Sequence, residues 1–305
     1  MAERILVAVD LSETSILALR EAHALAIARA ATLAVVHVTP HLVDIQALFP
    51  QNYGANMTAL AEAEAATALE VERHVAELDP GAKVPIFVER GEAYAEIIRR
   101  AESWSATLLV VASHGRTGLS RGLLGGVAER VVRYAHCPVL VTRQSPSEKV
   151  VIAATDLSDP SLPALARGAE EARLRGARLI VVHAVDTTAA SYLASVGSPF
   201  GTTVPIPPVE IQRATRDGLS ELLRQSMARF GASGESLVLD GAPVAEVVGA
   251  VEKFHAELLV VGAHGRTGIV RIALGSVAEQ LVRLSPCSVL AVRVGENQIP
   301  AHASR

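Results

Sequence analysis

The chain has 305 residues, enough for two domains of ordinary size. Half the residues are hydrophobic but only 3% are aromatic, so the core must be built from Val, Leu, Ile and Ala, which suits a buried parallel sheet under Ala-rich helices. The net charge of −4 and the lack of a long Lys/Arg run exclude an electrostatic draw to nucleic acid or an anionic membrane, and the longest apolar runs are strand-sized, too short to span a bilayer.

Taken in chain order, RILVAVD at 4–10 reads as a first strand. Apolar residues at helical spacing predict a helix over 15–31, with Ser12 or Thr14 as its N-cap. TLAVVHV at 32–38 is a second strand. Pro40, Pro50, Asn52 and Gly54 mark 39–57 as a loop, and a long Ala/Glu-rich helix follows over 58–78. The third strand is 84–91, a short helix covers 93–104, and LLVVAS at 108–113 is the fourth strand. A glycine-rich loop leads into a helix over 126–134, and PVLVTR at 138–143 closes the series.

The order then repeats. The segment Leu108 to Arg143 recurs, without a gap, from Leu258 to Arg293. ASHGRTGLSRGLLGGVAER in one copy answers GAHGRTGIVRIALGSVAEQ in the other, with Arg116 matching Arg266 and Arg121 matching Arg271. A repeat of this length is a whole domain rather than a solenoid unit. We place the domains at 1–146 and 147–305, joined by the short polar QSPSE. In the second copy, strands begin near Val150, Arg178, Ser236, Leu258 and Ser288, with a longer Pro-containing loop over 186–209. Met1 leads straight into a strand with no signal-peptide pattern, so a cytoplasmic location is expected.

Strands alternating with helices predict, for each domain, an α/β fold: a five-stranded parallel sheet with helices on both faces, for which we take the order 3-2-1-4-5. Ligands in such sheets sit at the carboxyl ends of the strands, where the strand order reverses. That draws attention to the loops after strands one and four. The first carries Asp10-Leu11-Ser12 in one copy and Asp156-Leu157-Ser158 in the other. Such an Asp either caps the following helix or accepts hydrogen bonds from a ribose hydroxyl or an adenine amine. The second reads Gly262-Ala263-His264-Gly265, then nine residues, then Gly275-Ser276. Glycines allow a close backbone approach, and a helix start offers free N–H groups, a dipole and the Ser hydroxyl to an anion. A plain strand-to-helix turn is the alternative. Two copies, each paired with an upstream D-L-S, favour phosphate. Arg266 and Arg271 either add charge there, stay solvated or pair with a carboxylate.

His37 and His183 sit at equal places in strand two with no further ligand at metal spacing, so a structural or pocket-lining role is expected and no metal site. Cys137 and Cys287 read as buried thiols, and Trp104 and Phe254 as core residues. His114 and His264 lack a visible carboxylate partner, so no catalytic residue is assigned.

The G-x-x-G, nine residues, G-[ST] pattern, the first strand ending in Asp and the closing Pro-Val-Leu-Val strand resemble the universal stress proteins. The resemblance implies an ATP-binding α/β fold, dimerisation through the last strand and a role in stress tolerance. By position it implies that Asp156 holds the adenosine end and Val185 lies near the adenine. It assigns Gly262, Gly265, Gly275 and Ser276 to ribose and phosphates, leaving His264 and Arg266 as contacts within the same loop. The matching first-domain positions are Asp10, Gly115 and Gly125, but Ala112 replaces the first Gly and Gly126 the Ser/Thr. The first site is therefore expected to be weak or empty. The leading expectation is a nucleotide-dependent regulator holding ATP with Mg²⁺, as an intrachain pseudo-dimer that forms a homodimer. A slow ATPase and a scaffold with vestigial pockets are the alternatives. No Walker motif and no G-x-G-x-x-G follows a first strand, which argues against fast phosphoryl transfer and against a dinucleotide dehydrogenase.

Overall fold

The computed structural model describes residues 3–39, 53–115, 124–144, 147–185, 209–263 and 274–293, with the side chains of 53–60 and 209–212 excepted. The chain divides into two compact units, Met1–Arg143 and Gln144–Arg305. The first holds β1 (Arg4–Ala8), α1 (Glu13–Arg29), β2 (Thr32–Thr39), α2 (Tyr53–Leu78), β3 (Ile86–Arg90), α3 (Ala93–Ser103), β4 (Leu108–Ala112), α4 (Gly126–Tyr134) and β5 (Val139–Thr142). The second repeats the order with β6 (Glu148–Ala154), α5 (Pro163–Arg175), β7 (Arg178–Val185), α6 (Val209–Arg229), β8 (Glu235–Asp240), α7 (Pro243–Lys253), β9 (Ala256–Gly262), α8 (Ser276–Leu284) and β10 (Ser288–Val292).

Within the first unit β1 pairs in parallel with both β2 and β4, β2 with β3 and β4 with β5, giving the order 3-2-1-4-5. Within the second unit β6, β7, β8, β9 and β10 repeat that order, again all parallel. The central strands carry continuous apolar runs because helices cover both faces. Ile5, Leu6 and Val7 of β1 and Val151, Ile152 and Ala153 of β6 are fully buried. α1 packs on β1 and β4 of one face, while α3 packs on β2 and against α4 on the other. Cys137 and Cys287 are buried and not joined by a disulfide.

Several readings shift, among them the start of β9, at Ala256 rather than Leu258. α2 begins at Tyr53, inside the stretch expected to be loop. A helical glycine costs only about 1 kcal/mol, which the Ala-rich stretch after Gly54 outweighs. β6 begins at Glu148 rather than Val150, because a register shift between Glu148 and Val151 lets its first residue pair with Ala256. Trp104 is not a core residue: it is half-buried at the C-cap of α3, edge-on to Phe87 at 6.5 Å, with the Arg4 guanidinium 5.5 Å from its ring centroid. Phe254 likewise carries Arg178 at 5.8 Å and Lys253 at 5.3 Å. An aromatic ring under a cation is stabilised without full burial.

In the second unit Gly168 of α5 faces β6 with no room for a side chain. A Cβ there would stand 2.7 Å from the Ala153 Cβ of β6. The same places in the first unit hold Ala22 and Val7. Gly168→Val must therefore push α5 off its sheet and is expected to destabilise the protein by about 1–3 kcal/mol, read as a lower urea midpoint.

Candidate functional site

In both units the chain must turn sharply as it leaves the first strand, and it does so through a leucine in left-handed conformation: Leu11 at φ 64° and Leu157 at φ 62°. The preceding Asp supports that turn. Asp10 Oδ1 accepts from the Ser12 N–H at 3.1 Å, and Asp156 Oδ1 accepts from the Ser158 N–H at 3.0 Å; the Ser hydroxyl donates to the same oxygen in each case. The capping and ligand readings of these residues are compatible, since a carboxylate has about four acceptor positions. In the first unit the helix cap itself is Ser12, whose hydroxyl accepts from the Ser15 N–H.

The buried histidines hold the same loop from the neighbouring strand. Nδ1 of His37 lies 2.7 Å from the Val9 carbonyl, and Nδ1 of His183 lies 2.8 Å from the Thr155 carbonyl. A carbonyl only accepts, so Nδ1 carries the proton in both rings. Each bond fixes the residue immediately before the Asp, which is the structural role expected from sequence. In the second unit Thr155 adds more: its Oγ1 lies 2.7 Å from Ser161 Oγ and accepts from the Leu157 N–H at 3.0 Å.

Across the crevice lies the start of the helix after the fourth strand. Gly275 is the N-cap of α8 and Ser276 its first residue; Gly125 and Gly126 stand in the same relation to α4. Gly275 N–H donates to Ala263 O at 2.8 Å and Gly125 N–H to Ser113 O at 2.8 Å, which folds the loop back onto its strand. Neither helix has a side-chain cap at its N-terminus. First-turn N–H groups without intrahelical partners, together with the helix dipole, form an environment for an anion.

The two ends enclose a cavity in each unit. That of the second unit is about 240 Å³ and is lined by Asp156, Val182, Ala184, Pro243, Gly262 and Ser276 among others. That of the first is about 370 Å³, with Asp10, Val36, Val38, Gly115, Gly125 and Gly126 in its lining. Asp156, Gly262, Gly275 and Ser276 are thus brought together, as are Asp10, Gly115 and Gly125. His264, Gly265 and Arg266 lie outside the described residues. Val185 does not line the cavity: strand alternation gives that wall to Val182 and Ala184, and the Val185 carbonyl accepts from the Gly241 N–H at 2.9 Å. The period-2 pattern of VVHAV held that signal. Pro243 and Val247, from the start of α7, had none in the sequence, because they arrive through tertiary packing.

The glycines have separate reasons. A Cβ on Gly115 would overlap the Asp10 carboxylate. A Cβ on Gly262 would stand 2.9 Å from Ser161 Cα and 3.3 Å from the Pro160 carbonyl, so the crowding there comes from the chain itself rather than from a ligand. The turn over 159–162 causes it. α5 starts only at Pro163, whereas α1 starts directly after Ser12. Ala112 therefore fits the first unit for a local reason. Gly262→Ala is expected to destabilise the protein by about 1–3 kcal/mol, whereas Ala112→Gly costs only about 0.5–1 kcal/mol of backbone entropy. Urea unfolding of both variants checks the contrast.

Comparison with known proteins fits this architecture. The model of the universal stress protein family matches residues 1–143 and again 148–293. Universal stress protein Rv2005c of Mycobacterium tuberculosis is 32% identical over 195 residues, which is 62% of this chain and 62% of that protein. The match thus spans under two thirds of that relative. Universal stress protein MJ0531 of Methanocaldococcus jannaschii is 40% identical over 92 residues, 30% of this chain and 54% of that protein. Among solved structures, a universal stress protein from Archaeoglobus fulgidus has a TM-score of 0.62 at 20% identity, covering 97% of both chains, a likeness of fold. With the family pattern matched over nearly its whole length, and matched twice, the chain belongs to the universal stress protein family.

Proposed function

We propose that the protein is an ATP-binding regulator of the stress response, in which the second unit holds ATP with Mg²⁺ as a ligand rather than as fuel. The observation that carries this reading is the placement of Asp156 and the uncapped start of α8, with Ser276, on the lining of one crevice at the point where strand order reverses. Asp156 would accept from the adenosine end. The Ser276 hydroxyl and the first N–H groups of α8 would hold phosphate. His264, Gly265 and Arg266 belong to the same proposal through their place in the motif. Mg²⁺ would arrive on the phosphates themselves and keep several waters, as it does where few protein carboxylates meet it.

A ligand that binds only the folded protein stabilises it by mass action, about 2.7 kcal/mol at a hundredfold excess over Kd. ATP would in this way favour one state of the chain without being consumed. Association of two chains into a homodimer is part of the same proposal, and a monomeric mass in solution would remove that part.

Calorimetric titration of ATP with Mg²⁺ into the wild type and Ser276→Asp tests the reading. The added carboxylate should weaken binding at the second crevice by at least about a hundredfold, since a charge-assisted hydrogen bond is exchanged for repulsion. Unchanged affinity would refute the assignment. Phosphate release followed on the same samples separates ligand from substrate. ATP recovered intact is expected, and steady turnover lost in Ser276→Asp would favour the slow ATPase.

A further inference from the structure

The two crevices agree at one end and differ at the other. At the Asp end the copies share the turn, the Asp brace and the His bond, although α5 starts later than α1 and Thr155 and Ser161 pair in the second unit. The leucine turns agree within 2° (64° and 62°), the Ser N–H to Asp distances are 3.1 and 3.0 Å, and the His Nδ1 to carbonyl distances are 2.7 and 2.8 Å. The strand-two walls are Val36 and Val38 in one copy and Val182 and Ala184 in the other.

At the helix end the copies part. Ser276 opens α8 with a hydroxyl, and Gly126 opens α4 with none. Nothing lies within 4 Å of where a Gly126 Cβ would be, so no described neighbour supplies a substitute donor in that space. Arg130, one turn further along α4, is paired with Glu92 and sits 4.9 Å from the Tyr94 ring centroid. The loop arginines do not separate the copies, since Arg116 and Arg121 have counterparts in Arg266 and Arg271. Yet the first crevice has not collapsed: its cavity is the larger, about 370 Å³ against about 240 Å³.

We propose that the first crevice is a second ligand site that reads the nucleoside, while the second crevice reads the phosphate chain, with Gly126 and Ser276 as the specificity-determining pair. The inference rests on the nucleotide reading given above for the second unit. It gives a first site expected to be weak or empty a chemical class: adenosine or a nucleotide with few phosphates. One hydroxyl donating to a charged phosphate accounts for about ten- to a hundredfold in affinity. A chain with both sites would respond to the ratio of nucleoside to triphosphate rather than to ATP alone.

The test uses the full chain with one crevice filled at a time. Val38 and Ala184 are half-buried residues on the wall of each cavity, so Val38→Trp fills the first and Ala184→Trp the second. Affinities for adenosine and for ATP with Mg²⁺ are measured by calorimetry on each. The preference for ATP over adenosine should be about ten- to a hundredfold greater in Val38→Trp, where only the second crevice is open. Adding Gly126→Ser to Ala184→Trp should raise ATP affinity about tenfold and leave adenosine within about twofold. Ser276→Gly in Val38→Trp should do the reverse. Should a tryptophan variant fail to fold, the same Gly126→Ser and Ser276→Gly exchanges in the wild-type chain give these shifts as a two-site titration. Equal preferences in the two crevices, or exchanges that leave them unchanged, would overturn the proposal. So would ATP binding in the second crevice with no adenosine in the first, which leaves the reading of the second unit standing. Failure of every nucleotide to bind the wild type would overturn both.

Discussion

A parallel sheet whose second strand lies on one side of the first and whose fourth lies on the other has a gap at its carboxyl edge. The chain leaves β1 toward one side and β4 toward the other, and no crossover covers the space between. The other features of the site follow from filling the two banks of that gap. On one bank the strand must break sharply before a helix can start, which requires a left-handed residue and a side chain to brace it. Leucine takes the first role in both units and Asp the second. On the other bank the loop must return to its own strand before a helix starts, and Gly125 and Gly275 close that return with a backbone bond. A carboxylate thus faces an electropositive helix start across a cavity, in each unit independently.

The duplication makes the two banks separable. A feature kept in both copies answers a demand of the fold or of a shared ligand, and a feature kept in one answers something local. The His-to-carbonyl bond is of the first kind, since losing it would leave a buried carbonyl without its partner and release the loop ahead of the Asp. Gly262 is of the second kind: Pro160 and Ser161 press on it because α5 starts late, and the first unit, whose helix starts at once, carries Ala112 without crowding from such a turn. Gly126 against Ser276 is also of the second kind. No packing demand explains it, since a Cβ at 126 would meet open space. Of the departures at the motif, it is the one that changes chemistry rather than packing.

Much of this was legible before any coordinates. Period and punctuation were enough for the element order, because continuous apolar strands and Ala-rich helices leave few alternatives. Right-handed crossovers narrow the possible strand orders without choosing among them, and both units have the expected 3-2-1-4-5. The Asp and glycine positions stood out because they recur. What escaped were contacts that depend on how one element lies on another. Pro243 and Val247 enter the wall from a helix remote in sequence. Val185 was assigned to the adenine by the resemblance, while Val182 and Ala184, two residues apart on the same strand, are the ones that line the cavity. Trp104 was read as core when it was aligned with Phe254, but it is half-buried, with the Arg4 guanidinium beside its ring and edge-on to Phe87.

A crystal structure of the full chain grown with a non-hydrolysable ATP analogue and Mg²⁺ would show whether the second crevice holds nucleotide. The analogue is expected in the second crevice, its adenosine end at Asp156 and its phosphates at the N-terminus of α8, within hydrogen-bond distance of the Ser276 hydroxyl. An analogue lodged elsewhere, or a second crevice left empty at saturating concentration, would contradict this assignment.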